Sequence, residues 1–509
     1  MSYLICDFMG DDALKKLAEK IVSKDSTNFK FLISHSLPGN DSNLSKLEHL
    51  DANLLYSTES LYKLDKNIAF PSVGAKKNAD YQECLQTFLT CFDRIDPLGL
   101  SCRERVNYFW VLLGFYEKYF NERPEINSII FCNVPHMPWD ILLFYFAKSF
   151  NIKTLFLRKT GFAGYIYIDE DYRPYESKMV YDYLNVKTLK DIDSINHIDI
   201  VKIQGMNFTN GQVEGSWNKR IPFIKKNVKK LSNTLRLNNF FTSIRVFFSG
   251  KPSLSTRATI SSKQVSTFSA YNNFSWLEFI STHFKHLSNL KKIKDYYNEI
   301  CLNEIPEKSF IYVSLHLQPE RSTNPEGGHF DNQALMIQLI SKCLPEDWCI
   351  IIKEHPKQFK YDLRTFHSRR DSFYSGISRL DNAYFINQDF SQDDLIKKSQ
   401  ITATVSGSVG WESLLNKIPV LLFSDNWHSQ CNASRYVYDE ISIKKAIEAY
   451  LNMTSISIEE DLIDFAIKIS PSLIFGSLNS NHELFFVPKG EEDSTRNNVA
   501  NAILQRLVN

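Results

Sequence analysis

The fold class is decided by residues 401–413, which have the sequence ITATVSGSVGWES. The apolar run 401–405 predicts a short buried strand, and the turn 406–408 leads into an apolar pattern with helical spacing over 409–416. The next apolar run, 419–423, predicts another strand. A helix that connects two short apolar strands is typical of a parallel sheet covered by helices on both faces.

The same alternation extends in both directions along the chain and predicts two open α/β domains. The other expected strands are 2–7, 29–34, 128–132, 153–157, 309–315 and 348–353. The other expected helices are 13–21, 81–120, 138–150, 276–301, 332–343 and 393–398, with more helices from residue 441 onward. We therefore expect two doubly wound, Rossmann-like domains that face a cleft. The predicted divisions are a first domain 1–204, a basic linker or insertion 205–275, a second domain 276–470 and a helical tail 471–509.

The composition excludes several classes of protein. Hydrophobic residues make up 43% of the 509 residues, with only 18 Gly and 17 Pro, which excludes collagen-like and largely disordered chains. Lys and Arg number 59 against 58 Asp and Glu, so no overall positive field attracts nucleic acid. Only the stretch 219–263 is strongly basic, with eleven Lys or Arg and no acidic residue. Its bulky apolar residues suit contact with an anionic membrane surface, and the alternative is a solvent-exposed connection between domains.

The nine cysteines are scattered along the chain and include no Cys-x-x-Cys pair. This pattern predicts reduced thiols that pack as small apolar side chains in a reducing compartment. The first residues show no basic segment followed by an apolar one, and no apolar stretch reaches the ~20 residues of a membrane-spanning helix. We expect a cytoplasmic protein that is either soluble or bound peripherally to the inner face of the cytoplasmic membrane.

Polar clusters follow three of the expected strands in the second half, where ligand-binding loops of such sheets lie. The clusters contain His316, Gln318, Glu320, Ser322 and Thr323; Lys353 and His355; and Ser406, Gly407, Ser408, Gly410 and Glu412. The turn 406–408 precedes a helix, whose free N–H groups attract an anion. Lys353 and His355 add donors suited to a phosphate, and Glu412 can accept hydrogen bonds from ribose hydroxyls. The clusters together predict a nucleotide site.

These motifs resemble those of the bacterial capsule polysaccharide biosynthesis proteins, a family that contains transferases of Kdo and related acidic sugars. The matching elements are Gln318-Pro319, Lys353-x-His355-Pro356 and the turn Ser406-Gly407-Ser408-x-Gly410-x-Glu412, and the likeness covers 309–440. The His-Pro and Ser/Thr motifs are also similar to those of bacterial sialyltransferases, which use CMP-activated donors. The resemblance implies a GT-B fold that binds the donor in its C-terminal domain, with no metal and no cofactor.

The resemblance also implies roles for individual residues. The residues expected around the donor nucleotide are Lys353, Ser406, Gly407, Ser408, Gly410 and Glu412. The residues expected around the donor sugar are His316, Gln318, Ser322 and Thr323, with His355 and Glu320 as candidate catalytic groups. His355 would protonate the phosphate leaving group or stabilise its charge.

The first half of the chain offers two clusters that could supply a base for an acceptor hydroxyl. One consists of Asp7, Asp11 and Asp12 after the first strand; such acids suit a metal site but more often cap the following helix. The other contains His136 and Asp140, whose spacing of four residues predicts that both lie on one helix face. We favour His136 and Asp140 as the acceptor-side catalytic residues.

Together these features predict a glycosyltransferase of bacterial surface glycan synthesis. Its substrates would be a CMP-activated ulosonic or nonulosonic acid, such as Kdo, sialic acid or pseudaminic acid, and an oligosaccharide or lipid-linked glycan acceptor. One alternative is the same fold with a UDP- or GDP-hexose donor. Another is a non-catalytic component of the glycan assembly or export machinery. No nucleic-acid partner is expected.

Overall fold

The computed structural model describes residues 2–40, 42–68, 71, 75–96, 99–162, 164–173 and 276–508. The predicted segment 205–275, with its basic stretch 219–263, lies outside the described residues. No helix in the described ranges is long and apolar enough to cross a membrane. The described residues form two sheets that are mainly parallel.

The first sheet contains mostly strands from the N-terminal part of the chain. Its strands are β1 (Ser2–Cys6), β2 (Phe29–Ser34), β3 (Glu48–Asp51), β4 (Ile126–Phe131), β5 (Lys153–Lys159), β6 (Tyr165–Asp169) and β13 (Ile474–Phe475). They lie in the order β13-β6-β5-β4-β1-β2-β3, and only the pairings of β6 are antiparallel. Leu4 and Cys6 enter the core on one face of the sheet, and Tyr3 and Ile5 enter the core on the other. Because both faces are covered, the parallel strands are apolar at successive positions.

The helices around the first sheet begin at recognisable capping residues. They are α1 (Asp12–Lys24), α2 (Thr58–Leu64), α3 (Ala75–Cys91), α4 (Cys102–Asn121) and α5 (Pro138–Ser149). Ser101 and Glu104 form a capping box at the start of α4. The helical periodicity over 81–120 corresponds to two helices, because the turn Phe92–Arg94 and this cap separate α3 from α4.

The second sheet has six strands, all parallel. They are β7 (Phe310–Ser314), β8 (Cys349–Lys353), β9 (Ala383–Phe385), β10 (Ile401–Thr404), β11 (Val420–Leu422) and β12 (Ser434–Tyr436), in the order β12-β11-β10-β7-β8-β9. The helices of this part are α6 (Trp276–Ile300), α7 (Gln333–Cys343), α8 (Asp371–Ile377), α9 (Gln392–Lys398), α10 (Ser408–Leu415), α11 (Glu440–Leu451) and α12 (Ser455–Ile469). Two such sheets confirm the predicted α/β class with two Rossmann-like domains.

The C-terminal segment returns to the first sheet. β13 pairs with β6, and the segment continues as α13 (Ser480–Phe486) and α14 (Glu492–Val508). Val499 and Ile503 of α14 pack with Leu17 of α1 in one core. Asp11, which caps α1, accepts hydrogen bonds from the N–H and the hydroxyl of Ser480, both at 2.8 Å. The segment 471–509 therefore completes the first domain and contains a short strand as well as helices.

The two domains share a core and a buried ion pair. Phe162, from the loop after β5, packs with Trp411 of α10. Arg158 of β5 lies 3.1 Å from the carboxylate of Asp169 and 3.4 Å from that of Glu326 in the second domain. These contacts hold the two domains against each other.

All nine cysteines are unpaired. Six of them are buried, as predicted for reduced thiols in the core. Cys132 and Cys301 are half-buried and Cys102 is exposed, so the prediction of core packing was wrong for Cys102. Cys102 is the first residue of α4, a helix end that faces solvent.

Candidate functional site

The strand order gives each sheet one switch point, where consecutive strands lie on opposite sides of the first strand. In the second sheet, β8 and β9 lie on one side of β7, and β10, β11 and β12 lie on the other. Ligands of open α/β sheets bind beyond the carboxyl ends of the strands at such a switch point. The corresponding point of the first sheet lies between β1 and β4, which are followed by Asp7 and Cys132.

The side chain of His316 connects the two loops at the switch point of the second sheet. Its Nε2 accepts the backbone N–H of Ser406 at 3.3 Å and lies 2.9 Å from Thr404 Oγ1. Its Nδ1 lies 3.1 Å from Ser322 Oγ. Burial lowers the pKa of His316 to about 4, so the imidazole is neutral at pH 7. Nε2 of His316 thus joins the loop after β7 to the end of β10, while Nδ1 bonds Ser322 of its own loop.

The turn before α10 packs tightly against His316 at Gly407. A Cβ atom on Gly407 would lie 2.9 Å from Thr404 Oγ1 and 3.1 Å from His316 Cε1. The side chains of His316 and Thr404 cannot move away from the added Cβ, because they are buried and bonded to each other. The position therefore requires glycine.

At the CMP site predicted from the sequence, replacing Gly407 by alanine is expected to weaken binding at least about tenfold, or ~1.4 kcal/mol, because the added Cβ displaces the turn. Titration calorimetry with CMP measures the change. The matched control is Gly376→Ala in α8, where an added Cβ meets no atom within 4 Å and binding should not change. Equal CMP affinity of Gly407→Ala and the wild type would show that this turn is not part of a nucleotide site.

The start of α10 offers hydrogen-bond donors to an anion. The first N–H groups of a helix have no partner within the helix, and the helix dipole adds positive potential there. Beside them, the Ser408 hydroxyl donates to Glu412 Oε1 at 2.9 Å, and Glu412 Oε2 accepts from Gln392 Nε2 at 2.7 Å. A Cβ atom on Gly410, the third residue of α10, would lie 3.2 Å from His428 Cε1. The exposed side of this turn is thus bordered by Ser408 and Glu412.

Gln318 and Thr323 support the loop after β7 from its buried side. Gln318 Oε1 accepts from Thr323 Oγ1 at 2.9 Å and from Gln333 Nε2 at 3.0 Å, and its Nε2 donates to the carbonyl of Asp331 at 3.1 Å. The backbone N–H of Gln318 donates to Gln358 Oε1 at 2.9 Å. The loops after β7 and β8 are therefore hydrogen-bonded to each other, and the polar atoms of the Gln318 side chain are already used within the protein.

Lys353 and His355 differ in what they offer a ligand. Lys353 Nζ donates to the carbonyl of Phe390, and burial lowers the pKa of the lysine. His355 Nδ1 accepts the N–H of Lys357 at 3.2 Å, which leaves the ring proton on Nε2. Burial lowers the pKa of His355 below its ordinary value. No described residue bonds His355 Nε2, so this N–H is available to a ligand.

A buried ion pair that sequence reasoning missed lies behind these histidines. Arg369 Nε donates to Glu354 Oε2 at 3.0 Å, and the same oxygen accepts the Tyr374 hydroxyl at 2.8 Å. Glu354 Oε1 accepts the N–H of His355 at 2.7 Å, while Arg369 donates to the carbonyl of His316 at 3.4 Å. One salt bridge thus fixes the backbone at both histidines.

Glu320 provides an exposed carboxylate in the same region. Its charge interacts with His316 and His355 in its own domain and with Arg94 of the first domain. A negative group at this place can stabilise a positive charge or accept a proton. The geometry leaves Glu320 as a candidate for catalysis.

The two switch points face each other across the domain junction. Arg94, which is buried, donates to the carbonyl of Asn324 at 2.7 Å and to that of His136 at 3.1 Å. Arg321, in the loop after β7, donates to the side chain of Asn133, in the loop after β4. The loops that end β4 and β7 are therefore in direct contact.

The predicted arrangement of His136 and Asp140 was wrong. α5 begins at Pro138, so His136 precedes the helix and does not share a helix face with Asp140. Asp140 Oδ1 accepts the backbone N–H groups of His136 at 2.8 Å and Met137 at 2.6 Å, and burial raises the pKa of this carboxyl group. His136 Nδ1 bonds the carbonyl of Val134 at 2.9 Å, and burial lowers the pKa of His136 to about 3. Asp140 therefore caps the helix, and His136 is a weak base.

The acidic cluster after β1 divides into a capping part and a part at the strand end. Asp11 caps α1, and Asp12 pairs with Lys16 on the surface at 2.7 Å. Asp7 Oδ1 instead lies 2.9 Å from Nδ1 of His35, the residue that follows β2. Within the described ranges, no group of three or more His, Cys, Asp or Glu is arranged to hold a metal ion. The position of His35 at a strand end was the available signal, and sequence reasoning missed it.

No protein-family model and no curated protein matches the chain. Among solved structures, the chain is similar to the UDP-GlcNAc 2-epimerase of Methanocaldococcus jannaschii, with 12% identity, coverage of 89% of this chain and 93% of that chain, and a TM-score of 0.23. It is also similar to KpsC of Thermosulfurimonas dismutans, a beta Kdo 2,7 transferase, with 9% identity, coverage of 73% and 87%, and a TM-score of 0.31. A third is the alpha,alpha-trehalose 6-phosphate synthase of Burkholderia multivorans, with 9% identity, coverage of 100% and 97%, and a TM-score of 0.30.

Proposed function

We propose that the protein is a glycosyltransferase of bacterial surface glycan synthesis. It transfers an acidic sugar of the Kdo, sialic acid or pseudaminic acid type from a CMP-activated donor to an oligosaccharide or lipid-linked glycan. One observation carries the proposal: the loops after β7, β8 and β10 meet at the switch point of the second sheet, opposite the switch point of the first. Two switch points that face each other suit a reaction between two bound substrates.

The groups at the second switch point suit a phosphate leaving group. Cleavage of a CMP-sugar leaves a phosphate monoester, whose new negative charge needs hydrogen-bond donors that are already in place. The N–H groups of Ser408 and Val409, the first two residues of α10, and the Nε2–H of His355 are such donors. The choice of CMP over other nucleotides follows from the family resemblance of the motifs at 318–319, 353–356 and 406–412.

The proposal also specifies where in the cell the reaction takes place and which domain binds each substrate. A lipid-linked acceptor would be met at the inner face of the cytoplasmic membrane, and the basic stretch 219–263 would contact the anionic headgroups there. The donor would bind the domain 276–470 and the acceptor the domain 1–204. The donor nucleotide-sugar is a substrate, and the proposal requires no metal.

The experiment that tests the proposal compares CMP, UDP and GDP as ligands. At about 100 times its Kd, CMP is expected to raise the melting temperature by several degrees, because it binds only the folded state. UDP and GDP should cause smaller shifts, and Gly407→Ala should reduce the shift with CMP to about half or less. A larger shift with UDP or GDP would instead support a hexose donor. No shift with any nucleotide, and no cleavage of CMP-sialic acid or CMP-Kdo, would contradict the proposal in favour of a non-catalytic role.

A further inference from the structure

We propose that Asp7 is the general base that accepts the proton of the acceptor hydroxyl, and that His35 positions its carboxylate. This inference rests on the proposed transferase function and names the acceptor side of the reaction. Asp7 follows β1 at the switch point of the first sheet, in the left-handed conformation with φ of 60°. Non-glycine residues seldom adopt this conformation, and residues that do so are concentrated at functional sites.

A chain of hydrogen bonds leads from the core to this carboxylate. Trp139 Nε1 donates to the Tyr56 hydroxyl at 3.3 Å, and that oxygen lies 2.9 Å from His35 Nε2. Burial raises the pKa of Tyr56, so its hydroxyl stays protonated and donates to Nε2. The ring proton of His35 is then on Nδ1, which donates to Asp7 Oδ1 at 2.9 Å. Each member thus donates toward Asp7, which fixes both the tautomer of His35 and the orientation of the carboxylate.

Exposure increases along the same chain of residues. Trp139 and Tyr56 are 0% and 1% exposed, while the side chains of His35 and Asp7 are 18% and 31% exposed. No described residue bonds the second oxygen of Asp7, Oδ2. The chain therefore ends on a carboxylate oxygen that solvent or a substrate can reach.

The surroundings place this carboxylate on the side of the first domain that faces the second. The charge of Asp7 interacts with His136, whose ring also interacts with Arg321 of the loop after β7. The acceptor-side bases predicted from the sequence, His136 and Asp140, are less suitable. Asp140 is buried with Oδ1 bonded to two backbone N–H groups, and the pKa of His136 is about 3.

The proposed step is a single displacement. Asp7 Oδ2 takes the proton of the acceptor hydroxyl as the acceptor oxygen forms its bond to the anomeric carbon of the donor. The bond from that carbon to the phosphate oxygen breaks, and its electron pair leaves with CMP. Because the acceptor attacks opposite the leaving group, the anomeric configuration is inverted.

The test uses Asp7→Asn in the full chain, because asparagine has the same shape and tolerates the left-handed conformation. CMP affinity, measured by calorimetry, is expected to equal that of the wild type. Cleavage of CMP-sialic acid or CMP-Kdo, with water as the acceptor, should fall by about 10²–10⁴-fold, the usual contribution of a general base. His35→Ala should reduce the same rate less than Asp7→Asn does, and His35→Asn, whose amide can replace the Nδ1–H donor, should recover part of it. The matched control is Asp12→Asn, which should leave both quantities unchanged.

The outcomes separate this inference from the proposed function. If Asp7→Asn binds CMP normally and keeps more than a third of the wild-type rate, the inference fails while the transferase function stands. If the variant loses CMP affinity, Asp7 belongs to the donor site and the inference fails. A first product with retained anomeric configuration, seen by NMR, overturns it as well. If the wild type binds no nucleotide and cleaves no donor, the proposed function fails and the inference fails with it.

Discussion

Glu354→Ala is expected to lower the free energy of unfolding by about 3–5 kcal/mol, the usual cost of leaving a buried charge without its partner. The side chains of Glu354 and Arg369 are 0% and 3% exposed, so water does not replace the lost carboxylate. The change also removes the acceptor of the Tyr374 hydroxyl and of the His355 N–H. Urea denaturation of the variant and the wild type measures the difference.

Two controls show whether the effect comes from burial of the charge. Asp393→Ala removes a carboxylate that pairs with Lys397 on the surface of α9, and it should cost less than about 1 kcal/mol. The double variant Glu354→Leu with Arg369→Met removes both buried charges and should recover much of the stability lost in Glu354→Ala. CMP binding should be weaker than in the wild type in the double variant, because the backbone at His316 and His355 loses its supports. A single variant as stable as the wild type would contradict the role given to this pair.

Most of the longer strands were predictable from the sequence, because their signal is local, although β6 was not predicted. The predicted strand 29–34 has the same bounds as β2, and the runs 309–315 and 401–405 contain β7 and β10. β9, β12 and β13 have two or three residues each, too few for a pattern, whereas the equally short β11 lies within the longer apolar run 419–423. Their positions are set by pairing with distant partners, as when β13 joins β6.

The candidate site was predictable only in part for a related reason. A polar residue at a strand end identifies the edge of the sheet, so the loops at His316, His355 and Ser406 were found together. Which of these side chains faces a ligand depends on contacts from other parts of the chain. Gln318 has its polar atoms bonded to Thr323, Gln333 and Asp331, which no spacing rule links to it.

Residue pairs that come together only when the chain folds could not be predicted from the sequence either. Asp7 and His35 follow two neighbouring strands, and Glu354 and Arg369 come from a strand end and the approach to α8. Neither pair has a characteristic spacing in sequence. Asp140 shows the opposite error, since its spacing from His136 suggested a shared helix face and the helix begins only at Pro138.

His355→Ala is expected to reduce the rate of CMP-sugar cleavage by about 10²–10³-fold, the usual cost of losing one donor to a developing negative charge. His355 is the candidate donor because its Nδ1 accepts the N–H of Lys357, which leaves Nε2–H for the phosphate. The fold should be retained, since the ring is only half-buried. Cleavage assays and melting temperatures measure both effects, and His329→Ala, at an exposed position of the same domain, is the control.

The pH dependence decides how His355 acts. Burial lowers its pKa below the ordinary 6.5, so above pH 7 the ring is mostly neutral. A neutral Nε2–H donor gives a His355-dependent rate that is level between pH 7 and 8.5, whereas a general acid gives a rate that falls about tenfold per pH unit above its pKa. We expect the level profile, and we expect His355→Gln to recover part of the rate, because its amide N–H can replace Nε2–H. A rate that falls steadily with pH in the wild type but not in His355→Gln would show instead that His355 transfers a proton.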